Sequence, residues 1–379
     1  MKSNSLLDLE SFGQSIWMDF ISRDTISSGQ LQWWIEEDGI SGVTSNPSIF
    51  EKAITESDDY DESIRGLILK GMTSEETFRS LAVNDIQNVA DLLLPTYHRT
   101  DGRDGFVSLE VSPTLAHDTT GTIEEARDLW ALVNRPNAMI KVPATSEGIP
   151  AIRELTGEGI NVNITLLFGL LRYREVADAY LGGLEVLAAK GMPLKQVASV
   201  ASFFLSRIDT LIDPILEKKM KMDNPRADIA ERLQGQVAIT SAKVAYEMYK
   251  EIFSSERFAS LAKKGARTQK LLWASTSTKN PIYSDTKYIE ELIGPDTINT
   301  VPVETLNAYR DHGHPEQTLD QEVREAYQLL VSLSSVGIDL DAVTQQLEDQ
   351  GVEKFITAFN RLMASLKEKA ASVHELYGR

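Results

Sequence analysis

The sequence predicts a (β/α)8 TIM barrel: one domain over residues 1–379, with extra helices and a helical C-terminal extension, 319–379, packed on it. Three observations carry this. Short β-type runs alternate with helical segments, the order expected of βα units around a parallel sheet. Eight such runs can be marked along the chain, the number that closes a barrel of this kind. The runs also carry polar side chains at or near their C-terminal ends, where such barrels build active sites. A doubly wound open sheet is the alternative, but no glycine-rich phosphate loop follows any strand, as a dinucleotide fold would want.

The first strand is Ser15–Phe20, followed by a helix around Leu31–Glu37 that stops near Gly39. The second, Gly42–Asn46, is ended by Pro47. Helices fill 61–94. The second of them opens with a capping box, Thr73 and Glu76, and presents Phe78, Ala82, Ile86, Val89 and Leu93 as a core-facing stripe. The third strand is Phe106–Val111, and a further capping box, Thr122 and Glu125, is expected to start the helix that leads to the fourth strand.

That fourth strand, in the stretch Ala138-Met-Ile-Lys-Val-Pro-Ala-Thr145, surrounds one charge with apolar and β-branched residues. Side chains alternate along a strand, so Met139 and Lys141 face one way, Ile140 and Val142 the other. Pro143 ends it. Burial disfavours an ammonium and can lower a lysine pKa by several units. Such a lysine is either snorkelling to solvent or held as a neutral amine able to attack a carbonyl and form a Schiff base.

The fifth strand is Ile160–Thr165, then a helix from about Gly169 to Lys190, and the sixth strand Val197–Ser202. Residues 205–262 read as helical almost throughout. Lys270–Ser275 is the seventh strand, Thr297–Thr300 a weak eighth, and the remainder from about Leu319 to Tyr377 is acidic and helical. No repeat or linker divides the chain.

Composition narrows the function. With 379 residues, 42% of them hydrophobic, the chain can bury a large core; its net charge of -18 argues against a nucleic-acid partner. The absence of cysteine removes thiolate nucleophiles, disulfides and Cys-bound metals. No apolar run reaches the roughly 18 residues of a membrane span, and Met1–Ser5 is not followed by a signal-peptide apolar core. A soluble cytoplasmic protein is expected.

The polar residues fall on inward faces. Asp19 shares a face with Trp17, Thr44 with Asn46, and Ser108 with Glu110; Asn161, Asn163 and Thr165 share one face, while Ser202 and Ser275 close their strands. One strand-end serine is ordinary turn chemistry. Six strands doing this together bring two acids, a lysine, amides and hydroxyls to one mouth, the parts for Schiff-base chemistry with proton transfer.

Gly42-Val-Thr-Ser-Asn-Pro-Ser48, Lys141-Val-Pro-Ala-Thr145, Asn161-Val-Asn-Ile-Thr-Leu-Leu-Phe168 and Ser202-Phe-Phe-Leu-Ser-Arg-Ile-Asp209 resemble, in order, the motifs of transaldolases. The resemblance implies a class I aldolase barrel that moves a dihydroxyacetone unit between sugar phosphates in the pentose phosphate pathway. It implies no cofactor and no metal. By motif, Lys141 would form the Schiff base and Asp19 would be the general acid/base. Glu110 and Thr165 would hold a proton-shuttling water. Asn46, Asn163 and Ser202 would bind the dihydroxyacetone hydroxyls, and Arg207 the phosphate. One departure stands out. The bacterial branch has a second phosphate arginine after the seventh-strand serine, where this chain reads Ser275-Thr-Ser-Thr-Lys-Asn-Pro281, leaving Lys279 as a displaced substitute without the bidentate fork.

Rival readings are an aldolase releasing free dihydroxyacetone, a non-catalytic sugar-phosphate-binding barrel, and a metal enzyme on His312 and His314. The first, by resemblance, is shorter and carries Gln and Tyr where this chain has Glu110 and Phe204. The second needs neither Lys141 nor Asp19. The third lacks an accompanying carboxylate pattern, so the histidines read as a polar turn before Pro315. Small-molecule sugar phosphates, with the chain as monomer or homodimer and without nucleic acid or membrane, are the expected partners.

Overall fold

Eight parallel strands close in chain order: β1 Gln14–Met18, β2 Gly42–Thr44, β3 Phe106–Glu110, β4 Ala138–Pro143, β5 Val162–Leu167, β6 Ser199–Phe204, β7 Lys270–Ala274 and β8 Thr297–Val301. The structure, a computed structural model, describes residues 4–221 and 226–377. Met1–Ser3, residues 222–225 within the predicted helical span 205–262, and the last two residues of the predicted C-terminal extension lie outside the described residues. β1 pairs with β8 from Gln14 opposite Thr297 to Met18 opposite Val301, which closes the barrel.

Strands covered on both faces are apolar nearly throughout, and β4 is buried at all six positions, Lys141 included. At the N-terminal end of the barrel the indole of Trp17 is wholly buried and donates to Asp104 Oδ1 at 2.8 Å. Its register partner must be glycine: a Cβ on Gly42 would sit 2.3 Å from Trp17 Cε2. Among the described residues, no helix is long and apolar enough to cross a membrane.

Helix Ser74–Arg99 has the expected capping box, with Thr73 N–H donating to Glu76 and Glu76 N–H to Thr73 Oγ1. The second expected box does not form. Helix Thr119–Val133 is capped by Asp118, Thr122 Oγ1 donates to Leu115 O, and Glu125 instead accepts from Ser112 N. The Thr-x-x-Glu spacing lies one turn inside the helix because Asp118 offers its carboxylate earlier. β6 begins two residues later than expected, since Val197 closes a turn on Leu194 O; it runs on to Phe204 opposite Ala274, leaving Ser202 within the strand. Asn161 belongs to the opposite end of the barrel from the site. It precedes β5, donates to Pro136 O and Ala138 O, and accepts from Ala198 N. Among the described residues, the span after β6 is helical over Ser206–Met220, Ala227–Leu233, Val237–Phe253 and Glu256–Ala262, as its helical reading expects.

The C-terminal helix Leu340–Tyr377 packs along helix Pro47–Thr55 and against helix Ser74–Arg99, where Phe359 meets Phe78 edge-on at 5.8 Å.

Candidate active site

Lys141 lies centrally, opposite Glu110 on β3 and Asn163 on β5. Its side chain is 4% exposed; Nζ donates to the carbonyl of Ser45 at 3.0 Å and stands 3.7 Å from Glu110 Oε2. The Glu110 side chain is equally withdrawn from water. Burial raises its pKa to about 7 against the opposing pull of the Lys141 ammonium. Near neutrality this carboxyl both holds and releases a proton, rather than only accepting hydrogen bonds as an ionised acid would. Glu110 Oε2 and Thr165 Oγ1 are buried without a hydrogen-bond partner, two polar atoms available to a bound molecule.

Asn163 is fully buried and held from both sides. Its Nδ2 donates to Ser108 Oγ at 2.9 Å, and its Oδ1 accepts from Ser202 Oγ at 2.7 Å. This bridge spans β3, β5 and β6 across the barrel interior and fixes the amide's orientation. Asp19 follows β1, half-buried, and accepts from Thr44 Oγ1 at 2.7 Å; that hydroxyl lies 2.9 Å from Thr300 Oγ1 on β8. Thr300 thus anchors the acid through Thr44, a link from the weak eighth strand that sequence reasoning did not single out.

Asn46 has a structural duty as well. Its Oδ1 caps helix Pro47–Thr55, accepting from Ser48 N at 3.0 Å and Ile49 N at 3.1 Å, with Pro47 at the first helical position. Only its Nδ2 is left to meet a ligand. A cavity of about 500 Å³, lined in part by Asn46, Glu110, Glu125 and Phe359, extends outward from this side.

The mouth is finished by β6 and β7. The Phe204 ring packs on Phe168 at 5.2 Å, and the Arg207 guanidinium lies 5.5 Å from the Phe204 ring centroid. Arg207 opens helix Ser206–Met220, and burial lowers its pKa from the usual value. Ser275 has φ 54° and sits after β7; its Oγ is 3.0 Å from Ser206 Oγ and its carbonyl accepts from Ser206 N, which ties the two mouth loops together. Ser275 therefore supports Arg207's helix. Lys279 stands on the loop beyond, its Nζ on Ser277 Oγ. His312 lies elsewhere, bonded to Asp285 on the surface.

The structure thus brings Asp19, Glu110, Lys141, Asn163, Thr165 and Ser202 into one polar interior, with Asn46, Phe204, Arg207, Ser275 and Lys279 around its mouth. Sequence reasoning missed the Ser45 carbonyl, a backbone group with no residue signal.

A family model described as transaldolase/fructose-6-phosphate aldolase matches residues 16–366. A protein of Nostoc sp. (strain PCC 7120 / SAG 25.82 / UTEX 2576) called transaldolase 2 is 47% identical over 374 residues, 97% of this chain and 98% of the relative. Transaldolase 2 of Nostoc punctiforme (strain ATCC 29133 / PCC 73102) is 48% identical with the same coverage. A transaldolase of Thiobacillus denitrificans (strain ATCC 25259 / T1) is 47% identical over 363 residues, 96% of this chain and 99% of the relative.

Proposed function

Since the chain belongs to the transaldolase/fructose-6-phosphate aldolase family, we infer that it is a transaldolase. It passes a dihydroxyacetone unit from a ketose phosphate, sedoheptulose 7-phosphate or fructose 6-phosphate, to an aldose phosphate in the pentose phosphate pathway. The observation that carries this reading is Lys141: a buried amine 3.7 Å from a carboxyl able to take its proton, facing polar groups without partners.

Lys141 attacks the substrate C2 carbonyl as a free amine, and Glu110 accepts the proton that the ammonium must lose. The carbinolamine loses water with a proton supplied from Glu110 through a water held by Glu110 and Thr165, giving the iminium. Asp19 takes the proton of the C4 hydroxyl, the C3–C4 bond breaks, and its electron pair flows into the iminium to give an enamine. The aldose phosphate leaves. An acceptor aldehyde then adds to the enamine carbon, Asp19 returns its proton to the new hydroxyl, and hydrolysis frees Lys141. Asn163, Ser202 and the Nδ2 of Asn46 hold the hydroxyls of the three-carbon unit. Arg207, with Lys279, takes the phosphate, and Ser275 positions Arg207.

These steps need neither metal nor cofactor. We take the chain as a single domain over 1–379 with 319–379 as its helical extension, acting in the cytoplasm as monomer or homodimer without nucleic-acid or membrane partners. Borohydride reduction in the presence of fructose 6-phosphate, followed by peptide mapping, tests the reading. A reduced adduct on Lys141 is expected, together with transfer to erythrose 4-phosphate in a coupled assay. Labelling of another lysine, or none, overturns it; an adduct without transfer points to a dihydroxyacetone-releasing aldolase.

A further inference from the structure

Four cations reach the barrel mouth from four separate segments: Lys52 from helix Pro47–Thr55, Arg207 from helix Ser206–Met220, Lys279 from the loop after β7, and Lys354 from the C-terminal helix. They feel one another. The Lys354 pKa is lowered first by Arg207, then by burial, Lys279 and Lys52; that of Lys279 is lowered by burial and then by Arg207. Like charges at close range disfavour each other's charged forms.

Three other cations on or against the C-terminal helix are neutralised. Arg361 pairs with Glu51 at 3.4 Å, Lys369 with Asp61 at 2.5 Å, and Arg172 with Glu348 at 3.2 Å. Among the described residues, none of the four mouth cations has a carboxylate within ion-pair distance. The chain has 56 acidic residues against 38 Lys and Arg, so acids were available. A repelling, unpaired cluster in an acidic protein is a cost that a bound anion removes.

Backbone geometry explains how the C-terminal helix comes so near. A methyl group at Gly351 would lie 2.8 Å from Leu166 Cδ2 and 3.6 Å from Arg207 Nη1. Leu166 is itself unusual, with φ 54° at the irregularity of β5. A mid-helix glycine costs about 1 kcal/mol relative to alanine; here it lets the helix cross directly over the Arg207 side of the mouth. Lys354 follows three residues later, hence on the same helix face.

We propose that Lys354 is a specificity-determining residue for the substrate phosphate, carried to the site by the C-terminal helix. The proposal rests on the transaldolase reading for the identity of the anion. A sugar phosphate is largely a dianion at neutral pH, and one guanidinium at a wet mouth does not neutralise it. Fructose 6-phosphate and sedoheptulose 7-phosphate place that group at distances from C2 that differ by one carbon. Arg207 is held against Phe204, whereas a lysine's flexible stem lets its point charge follow the phosphate between the two positions.

The test uses Lys354→Met and Lys354→Arg in the full chain. Lys354→Met is expected to raise KM for fructose 6-phosphate and erythrose 4-phosphate by about tenfold, the weaker end of a hydrogen bond to a charged group. Adduct formation with unphosphorylated dihydroxyacetone should stay at the wild-type level, and Lys354→Arg should restore most of the loss. An unchanged KM, or an equal loss with dihydroxyacetone, overturns the proposal. Calorimetric titration with inorganic phosphate separates it from the reaction: affinity should fall about tenfold in Lys354→Met, and equal affinity overturns the phosphate role. Failure of the transaldolase reading would show instead as a wild-type protein that forms no adduct with either donor.

Discussion

Glu110 and Lys141 stand opposite each other in the register of β3 and β4, their charged atoms 3.7 Å apart and both side chains out of water. Burial dominates the acid, moving its pKa from 4.5 to about 7. Between these values the native protein holds more protons than the unfolded chain, so stability falls as pH rises through this window. Glu110→Gln removes that dependence. Denaturation at about pH 5 and about pH 8 should show wild type losing roughly 3 kcal/mol relative to the variant, from about 1.4 kcal/mol per pKa unit. A flat difference would mean that Glu110 stays ionised throughout.

Asp19 is anchored by Thr44, which meets Thr300 in turn. Asp19→Ala should still form the borohydride-trapped adduct on Lys141, because attack at C2 does not use it. Turnover should drop about 10²–10⁴-fold, the range for a lost general acid/base. An unchanged turnover number removes Asp19 from proton transfer.

The two halves of the Asn46 amide can be tested apart. Asn46→Ala loses the cap and should cost about 1 kcal/mol of stability, while Asn46→Asp keeps an acceptor for Ser48 N and Ile49 N. Both lose Nδ2, so both should raise KM for the ketose donor. Thermal melts and steady-state kinetics on the pair check this; a wild-type KM in Asn46→Asp confines the residue to helix capping.

We propose that Phe204 biases what happens to the enamine. Its ring offers no acidic hydrogen to the carbanionic carbon, and a tyrosine there would. With Glu110 holding a proton near neutrality, the bias towards transfer falls on Phe204 more than on the acid. Phe204→Tyr should raise free dihydroxyacetone release relative to transfer at least about tenfold, below the usual contribution of a positioned acid. The rates on fructose 6-phosphate with and without acceptor give this ratio. A constant ratio in a folded variant assigns Phe204 to packing against Phe168 and Arg207.

Alternation along strands made the interior legible: Lys141, Asn163, Thr165 and Glu110 all lie where period two puts them. It failed for Asn161, because the face of a strand says nothing about which end of the barrel a residue occupies. Local spacing alone also misled at Thr122 and Glu125, where Asp118 competed for the same backbone donors. The Asn-Pro of residues 46–47 carries both a cap and a ligand signal, and only the helix that follows shows that half of the amide is spent. Lys354 was invisible for a different reason. Its partner Arg207 is far away in the chain, and no periodicity links a C-terminal helix to the strand ends it covers.

The pairing of Gln14–Met18 with Thr297–Val301 has a consequence for the protein's biosynthesis. Asp19 cannot acquire its Thr300-supported setting until β8 has been made, and at about 5–20 residues per second that takes on the order of tens of seconds. Throughout that interval β1 is an open sheet edge, able to pair with strands of other nascent chains. The catalytic centre is therefore a late event: a ribosome that stalls before β8 releases not a weakened enzyme but an unclosed sheet for the chaperones.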